Sequence, residues 1–162
     1  MRLDVTDLIS FYESPLGRCA AKAIFERIHG LWGSMTGLDV LGVGYTGPFL
    51  DHLEGNPRRL INVMPAGQGG HPWAPTERGC ASLVCHEREL PFTDAVFDRV
   101  LIVHGLEETS NYARFLREIW RVSAPEAHIL VVVPNRAGAW SLSDATPFGH
   151  GRPFSQRQIK RL

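Results

Sequence analysis

One segment of this chain has the residue types and spacing of a turn that receives a ligand. Residues Gly42-Val43-Gly44-Tyr45-Thr46-Gly47 have the form GxGxxG and directly follow a short apolar run. Glycines at this spacing let the backbone turn sharply and let a ligand approach closely, and a helix that follows offers free backbone N–H groups. The segment therefore predicts a ligand-binding turn between a strand and a helix, with a tight turn that binds nothing as the alternative.

A histidine later in the chain is the candidate for acid–base chemistry. His104 ends an apolar run at residues 98–104 and begins the stretch His104-Gly105-Leu106-Glu107. Imidazole changes its protonation state near neutral pH, so a histidine at the end of a strand suits a general base. A packed and hydrogen-bonded histidine with no catalytic role is the alternative interpretation.

The elements that must position these residues are predicted from the spacing of apolar side chains. Short apolar runs predict strands at residues 38–43, 59–64, 81–85, 98–104 and 127–133. Helical spacing predicts two helices within residues 7–31, separated at Ser14-Pro15, a third from the glycine turn to about residue 53, and a fourth over residues 110–122. Residues 65–79 hold four glycines and three prolines, which predicts a loop.

Strands that alternate with helices predict an α/β fold. We expect a Rossmann-like, doubly wound, mostly parallel sheet with helices on both faces, because each crossover connection must return over the sheet. Ligands of such sheets bind beyond the carboxyl ends of the strands, so the glycine turn and His104 are expected at one edge. Residues 1–36 are expected to form an N-terminal helical cap and residues 37–162 the Rossmann-like domain.

Composition excludes several classes of protein. The 162 residues carry 17 basic and 17 acidic side chains, and this balance argues against a nucleic-acid binder. No apolar run approaches the roughly 20 residues of a membrane-spanning helix. The sequence near Met1 lacks an apolar signal core and the three cysteines form no CxxC pair, which together predict a cytoplasmic protein. No metal is expected, since no standard zinc spacing occurs in the set His71, Cys80, Cys85 and His86.

A second set of segments resembles a known family. Residues 90–98 read LPFTDAVFD, and they are followed by the His104 stretch, by FLREIWRV at 115–122 and by ILVVVPNR at 129–136. In this order the segments resemble the class I S-adenosylmethionine-dependent methyltransferases, in particular the type 11 enzymes that act on small molecules. The resemblance runs from about residue 37 to the end of the chain. It implies the sheet order 3-2-1-4-5, S-adenosylmethionine as cofactor, and methyl transfer to an unidentified small-molecule acceptor.

The resemblance also implies roles for individual residues. The residues expected to wall the methionine and ribose of the cofactor are Gly42, Gly44, Tyr45, Thr46 and Gly47. The position beside the ribose hydroxyls falls on Met64 or Pro65, the turn beside the adenine on His86 and Glu87, and the floor under the sulfonium on His104 and Gly105. His104 is the expected catalytic base. Phe11 and Tyr12 of the helical cap are expected to shape the substrate pocket. Apart from the resemblance, Trp73 and Trp140 lie in predicted loops near the cleft and are further candidates to line that pocket.

The chain departs from the family at the acids that hold the cofactor. Gly42 stands where the first strand normally carries an acid, and Met64 or Pro65 stands where an acid binds the ribose hydroxyls. Losing a charge-assisted contact of that kind weakens binding by about 1.5–3 kcal/mol. A degenerate fold that serves as a non-catalytic binding or scaffolding module is therefore the alternative function. A nicotinamide-dependent oxidoreductase is disfavoured, because it also needs an acid after the second strand and gives LPFTDAVFD no role.

The end of the chain predicts an uncovered edge. The family's last two strands have no counterpart here, so strand five is expected to lie at the edge of the sheet. A second copy of the chain or a partner chain that covers this edge, truncation, or a naturally shortened pseudo-enzyme would each explain it.

Overall fold

A computed structural model of the protein describes residues 4–73, 81–107, 109–135, 147–149 and 154–161. The helices and strands in chain order are α1 (Val5–Glu13), α2 (Pro15–Trp32), β1 (Asp39–Gly44), α3 (Gly47–Leu50), β2 (Arg59–Pro65), β3 (Ser82–Cys85), β4 (Phe97–Val103), α4 (Tyr112–Val122), β5 (Ser123–Val132) and α5 (Gln156–Ile159). A short 3-10 turn covers Pro147–Gly149.

The strands form one sheet in the order β3-β2-β1-β4-β5. All neighbouring pairs are parallel. Every residue of the central strand β1 is buried, as expected when both faces of a parallel sheet are covered. The predicted fold class and strand order are confirmed.

The two N-terminal helices meet at a shared serine. The Ser14 hydroxyl accepts a hydrogen bond from the Gly17 amide at 3.0 Å and donates to the Phe11 carbonyl at 2.6 Å, so one side chain ends α1 and caps α2. A Cβ on Gly17 would lie 1.9 Å from the Phe11 oxygen, so this close junction requires glycine. It fixes α1 with its apolar face, which includes Tyr12, against the sheet core. The helical break predicted at Ser14-Pro15 is confirmed, whereas the domain division at residue 36 stays a prediction.

Two elements differ in extent from the sequence prediction. The helix after the glycine turn ends at Leu50 rather than near residue 53, and Asp51 instead accepts a hydrogen bond from the Trp73 indole at 2.8 Å. β5 starts at Ser123, earlier than predicted, because Ser123 already pairs with Phe97 before a bulge shifts the register.

β5 is an edge strand of the described sheet, with β4 as its neighbour. The expectation that a partner covers this edge stays a prediction. No helix among the described residues is long and apolar enough to cross a membrane.

Candidate active site

The turn after β1 is held tightly against the end of β4. Gly44 has φ +93°, and a Cβ there would lie 2.2 Å from the carbonyl oxygen of Val103. The Tyr45 amide donates to that same oxygen at 2.8 Å. Only glycine fits this close approach in a left-handed conformation. The turn therefore places Tyr45 next to the residues that follow β4, above all His104 and Gly105.

The first glycine of the motif makes room for a buried side chain. The Thr46 hydroxyl donates to Asn62 Oδ1 at 2.6 Å, and both residues are buried. A Cβ on Gly42 would lie 2.1 Å from the Thr46 hydroxyl oxygen. An acid at position 42 would therefore collide with the Thr46–Asn62 pair. This pair gives a physical reason for the glycine that replaces the family's acid.

His104 is buried at the carboxyl end of β4 with hydrogen-bond partners at both ring nitrogens. Nδ1 lies 2.8 Å from Glu107 Oε1, and Nε2 lies 2.8 Å from the Tyr12 hydroxyl. Burial raises the pKa of Tyr12 well above its ordinary value of 10.0, so the phenol stays neutral and can donate its proton. Both ring nitrogens therefore have a hydrogen-bond partner, and the tautomer of the imidazole decides which nitrogen donates.

The backbone at His104 is in an unusual conformation. Its φ is +52°, in the left-handed region that residues with a Cβ rarely adopt. Such strain concentrates at functional sites, where surrounding contacts hold it in place. The contacts from Tyr12 and Glu107 are of that kind.

Aromatic rings surround the histidine. Tyr12 stacks on Tyr45 with ring centres 5.2 Å apart, and Phe148 stacks on His104 at 4.7 Å. Burial also raises the pKa of Tyr45 to about 12. Phe11 packs edge-on against Phe148 at 5.0 Å. The end of β4 is therefore enclosed by uncharged rings from α1, the β1 turn and the 3-10 turn.

A cavity of about 310 Å³ opens beside this cluster. Its walls include Phe11, Tyr12, His104 and Phe148, together with residues 132–135 at the end of β5. No aspartate, glutamate, lysine or arginine is among its lining residues in the described part of the chain. The volume lies at the lower end of the range for small-molecule pockets, about 300–1,000 Å³. An uncharged small molecule suits these walls.

The ends of β2 and β3 differ in polarity. Met64 is buried and its sulfur accepts a hydrogen bond from the His71 amide at 3.1 Å, while Pro65 pairs in register with Cys85. Neither supplies a carboxylate. After β3, Glu87 is buried and accepts from the Thr109 hydroxyl at 3.2 Å. Of these two strand ends in the described structure, that of β3 is therefore the one followed by a buried acid.

The neighbour of Glu87 has different surroundings. The His86 side chain is exposed, with Nε2 3.0 Å from an Arg88 nitrogen. Glu87 rather than His86 thus provides a buried polar group at the turn predicted to lie beside the adenine.

Gln68 is a buried polar residue that the sequence prediction missed. It follows β2, and its side-chain amide donates to the carbonyl oxygen of His104 after β4 at 2.9 Å. Since β1 lies between β2 and β4, this side chain passes over the end of β1. The backbone carbonyl of Gln68 accepts a hydrogen bond from the Val5 amide at 2.9 Å, so the start of α1 is held against the loop after β2. A lone glutamine in a glycine-rich loop gives no signal of this contact.

The two tryptophans predicted to line the substrate pocket are not among the described residues that line the cavity beside His104. Trp73 donates its indole N–H to Asp51 and packs against Gly47, where a Cβ would lie 2.9 Å from the ring. It is not among the residues that line the 310 Å³ cavity. Trp140 lies outside the described residues. The functional roles predicted for both, as for the other site residues, stay predictions.

The parallel sheet in this strand order is the fold of the class I methyltransferases. Residues 38–131, more than half of the chain, match the family model described as "Methyltransferase domain". The chain belongs to that methyltransferase domain family.

Known relatives agree with this family. The chain is similar to the demethylmenaquinone methyltransferase of Streptomyces avermitilis, with 31% identity over 71 residues, which is 44% of this chain and 28% of that protein. It thus spans little more than a quarter of that relative's length.

Solved structures show the same fold. A methyltransferase from Thermotoga maritima, described as a possible histamine N-methyltransferase, superposes with a TM-score of 0.66 at 19% identity, covering 87% of this chain and 67% of that one. A phosphoethanolamine N-methyltransferase of Haemonchus contortus, in complex with S-adenosylhomocysteine, gives 0.59 at 16% identity, covering 93% of this chain and 37% of that one.

Proposed function

We propose that this chain transfers a methyl group from S-adenosylmethionine to a small, uncharged acceptor bound in the cavity beside His104. The observation that carries the proposal is a buried imidazole at the carboxyl end of β4 that is hydrogen-bonded on both sides and forms part of an apolar cavity wall. A base in that position faces the acceptor while the apolar walls exclude water. Membership of the methyltransferase domain family supports the reaction class.

The residues at the strand ends fit the cofactor at one place and lack one familiar contact. Glu87 offers a buried carboxylate to a ring amine or hydroxyl, whereas Gly44 packs against the Val103 carbonyl and the Gln68 side chain passes over the end of β1. Met64 and Pro65 offer no carboxylate for the ribose, and the buried polar side chain that follows them is Gln68, an amide that can accept as well as donate. The bound cofactor supplies a methyl group made electrophilic by its sulfonium charge.

The chain's own contribution is orientation and proton handling. The aromatic rings of Phe11, Tyr12 and Phe148 restrict the acceptor to one side of His104. Holding two reactants in line provides much of the rate of a displacement, because the entropic cost is met on binding. The proton that the acceptor atom loses as it becomes methylated is balanced by one that His104 gains.

Binding of the cofactor product tests the first half of the proposal. Isothermal titration of the full chain with S-adenosylhomocysteine is expected to give saturable heat, and a parallel titration with NADH is expected to give none. Absence of heat and of any thermal shift with S-adenosylhomocysteine would overturn the proposal in favour of a binding or scaffolding module. Binding of NADH alone would favour the oxidoreductase.

Turnover tests the second half. Uncharged phenols and heteroaromatic alcohols are incubated with the chain and S-adenosylmethionine, and mass spectrometry follows the gain of one methylene group. Methylation is expected for compounds small enough for the cavity. Methylation restricted to anionic or cationic acceptors would contradict the assignment of the cavity as the acceptor site. The cytoplasmic location and the partner at β5 stay predictions.

A further inference from the structure

We infer that Tyr12, His104 and Glu107 form a proton relay, in which Tyr12 contacts the acceptor and Glu107 positions the histidine. The inference rests on the proposed function for its role in methyl transfer. It assigns a catalytic role to Tyr12, which the family resemblance gave only a place in the pocket, and a positioning role to Glu107. It also specifies the acceptor as an uncharged molecule that carries a hydroxyl or N–H group.

The Tyr12 hydroxyl occupies the histidine nitrogen that would act as base. Both residues line the cavity, and the Tyr12 hydroxyl lies 2.8 Å from His104 Nε2. Because this hydrogen bond occupies Nε2, the proton of an acceptor in the cavity would reach His104 through the phenol oxygen. The phenol oxygen has a free lone pair when its own proton is donated to Nε2, so it can accept the proton of the acceptor.

Glu107 fixes which nitrogen of His104 is basic. Its Oε1 lies 2.8 Å from Nδ1, which holds the proton on that nitrogen and leaves Nε2 as the acceptor for Tyr12. The side chains of both residues are almost completely buried, with 4% of His104 and 1% of Glu107 exposed. The structure thus presents one tautomer toward the cavity.

The carboxylate of Glu107 is costly in the resting protein. Its Oε2 is buried and has no hydrogen-bond partner among the described residues. An incompletely paired buried carboxylate destabilises a fold unless it has a charged partner. Protonation of His104 at Nε2 would create that partner, an imidazolium directly against Oε1.

The proton balance is as follows. The acceptor oxygen or nitrogen gains the methyl group and loses its proton, and the electron pair of the broken X–H bond stays on the acceptor atom. That proton passes to the Tyr12 oxygen while the Tyr12 proton passes to His104 Nε2. The electron pair of the broken carbon–sulfur bond stays on the departing thioether. Tyr12 ends unchanged, and His104 holds one extra proton that is released to water once the site opens.

Imidazole nitrogen NMR tests the tautomer without cofactor or turnover. In protein with ¹⁵N-labelled histidine, the signals of His104 are assigned by their loss in His104→Asn. We expect a fixed Nδ1–H tautomer in the wild type. In Glu107→Leu, which removes the acceptor for Nδ1–H at similar volume, we expect a switch to the Nε2–H tautomer, donating to the Tyr12 oxygen.

Kinetics separate positioning from a merely structural role. Removing one partner of a buried hydrogen bond leaves the other unsatisfied and lowers stability. We therefore expect Glu107→Leu to lower the Tm of the wild type while kcat falls about tenfold or more. KM for the acceptor should stay within about twofold, because Glu107 does not line the cavity. A lowered Tm with the tautomer unchanged would overturn the positioning role.

The relay itself is tested at Tyr12. Tyr12→Phe keeps the ring and removes the hydroxyl, and we expect kcat to fall about 100-fold. Tyr112→Phe, the same change at a half-exposed tyrosine on α4, is the matched control and is expected to leave kcat unchanged. An unchanged kcat in Tyr12→Phe overturns the relay.

The two levels of proposal fail differently. An Nε2–H tautomer in the wild type, with S-adenosylhomocysteine still bound, overturns the relay and leaves the proposed function in place. A fixed Nδ1–H tautomer in a chain that does not bind S-adenosylhomocysteine overturns the proposed function, and with it the role of the relay in methyl transfer.

Discussion

The two ends of the sheet each hold a buried carboxylate, in opposite surroundings. Asp39, at the amino end of β1, accepts from Arg58 Nε at 3.0 Å. Glu107, beyond the carboxyl end of β4, contacts a histidine with one oxygen and has no partner for the other in the described structure. The first carboxylate is neutralised by a permanent cation. The second has a partner that becomes a cation only on protonation.

This difference indicates that Asp39 stabilises the fold, whereas Glu107 is suited to a role in proton transfer. The Arg58 guanidinium beside Asp39 holds the pKa of that carboxyl below its usual value. The carboxyl of such a pair stays ionised, because the nearby cation compensates its charge, so it is poorly suited to proton transfer. The cluster around His104 is buried, is surrounded by rings and lies beside an apolar cavity, so its hydrogen bonds are electrostatically stronger than they would be in water.

Removing the imidazole is expected to give the largest difference in rate between variants at the two ends of the sheet. We expect His104→Asn to lower the rate of methyl transfer about 10²- to 10⁴-fold, because it removes the base. Asp39→Asn, a loss of charge at the other end of the sheet, should leave the rate unchanged. Initial rates with a saturating acceptor decide this. Equal losses in both variants would mean that the two ends are not functionally distinct.

Displacing α1 is expected to have the next largest effect, because α1 supplies Tyr12 to the carboxyl end of the sheet only. Gly17→Ala places a Cβ against the Phe11 backbone, which has to move, so we expect a lower Tm and loss of the Tyr12–His104 contact. Gly30→Ala, in the same helix with open space around its Cβ, should raise stability by about 0.5–1 kcal/mol. Thermal unfolding and the tautomer of His104 are the measurements. A Gly17→Ala protein with unchanged Tm would contradict the close junction.

An acid at the end of β2 is expected to strengthen cofactor binding at the carboxyl end of the sheet. Pro65→Asp offers the ribose hydroxyls a charge-assisted acceptor, so we expect S-adenosylhomocysteine to bind about tenfold more tightly, or ~1.4 kcal/mol. Titration calorimetry of the variant and the wild type measures the change. No gain in affinity would indicate that the ribose is held by other groups.

The smallest expected effect is the pH dependence of stability at Asp39. Its pKa in the folded protein is lowered from 3.8 by the hydrogen bond from Arg58, so its contribution to stability is complete above that ordinary value. The contribution is lost as the pH falls through the lowered pKa. We expect Asp39→Asn to have a lower Tm than the wild type near neutral pH and the difference to shrink in acid. A difference that stays constant with pH would show that packing, not charge, stabilises this end.

The sequence predicted the elements well because their signals are local. Each strand of the sheet was located within a few residues from an apolar run, and the break between α1 and α2 followed from Ser14-Pro15. The early start of β5 was missed, since its first residue pairs across a bulge. A bulge leaves no periodic signal along the chain.

The site was predicted only in outline. His104 and the glycine turn were expected at one edge of a parallel sheet, and the strand order brings them there. Gln68 was not expected as a site residue, because a glutamine in a loop carries no motif. Glu107 was part of the His104 stretch that resembles the family, but its spacing gave no sign that it contacts the imidazole. Gly42 was read as part of a ligand turn, whereas its contacts make room for Thr46.

By itself the sequence determined the class of fold and the family, because hydrophobic spacing and turn residues act over a few positions. Only the tertiary structure decided which side chains meet at the carboxyl end of the sheet. Tyr12 and His104 are 92 positions apart, and their contact depends on the Gly17 junction that directs α1 onto the sheet. Contacts at such separation result from packing the whole core, and no local pattern records them.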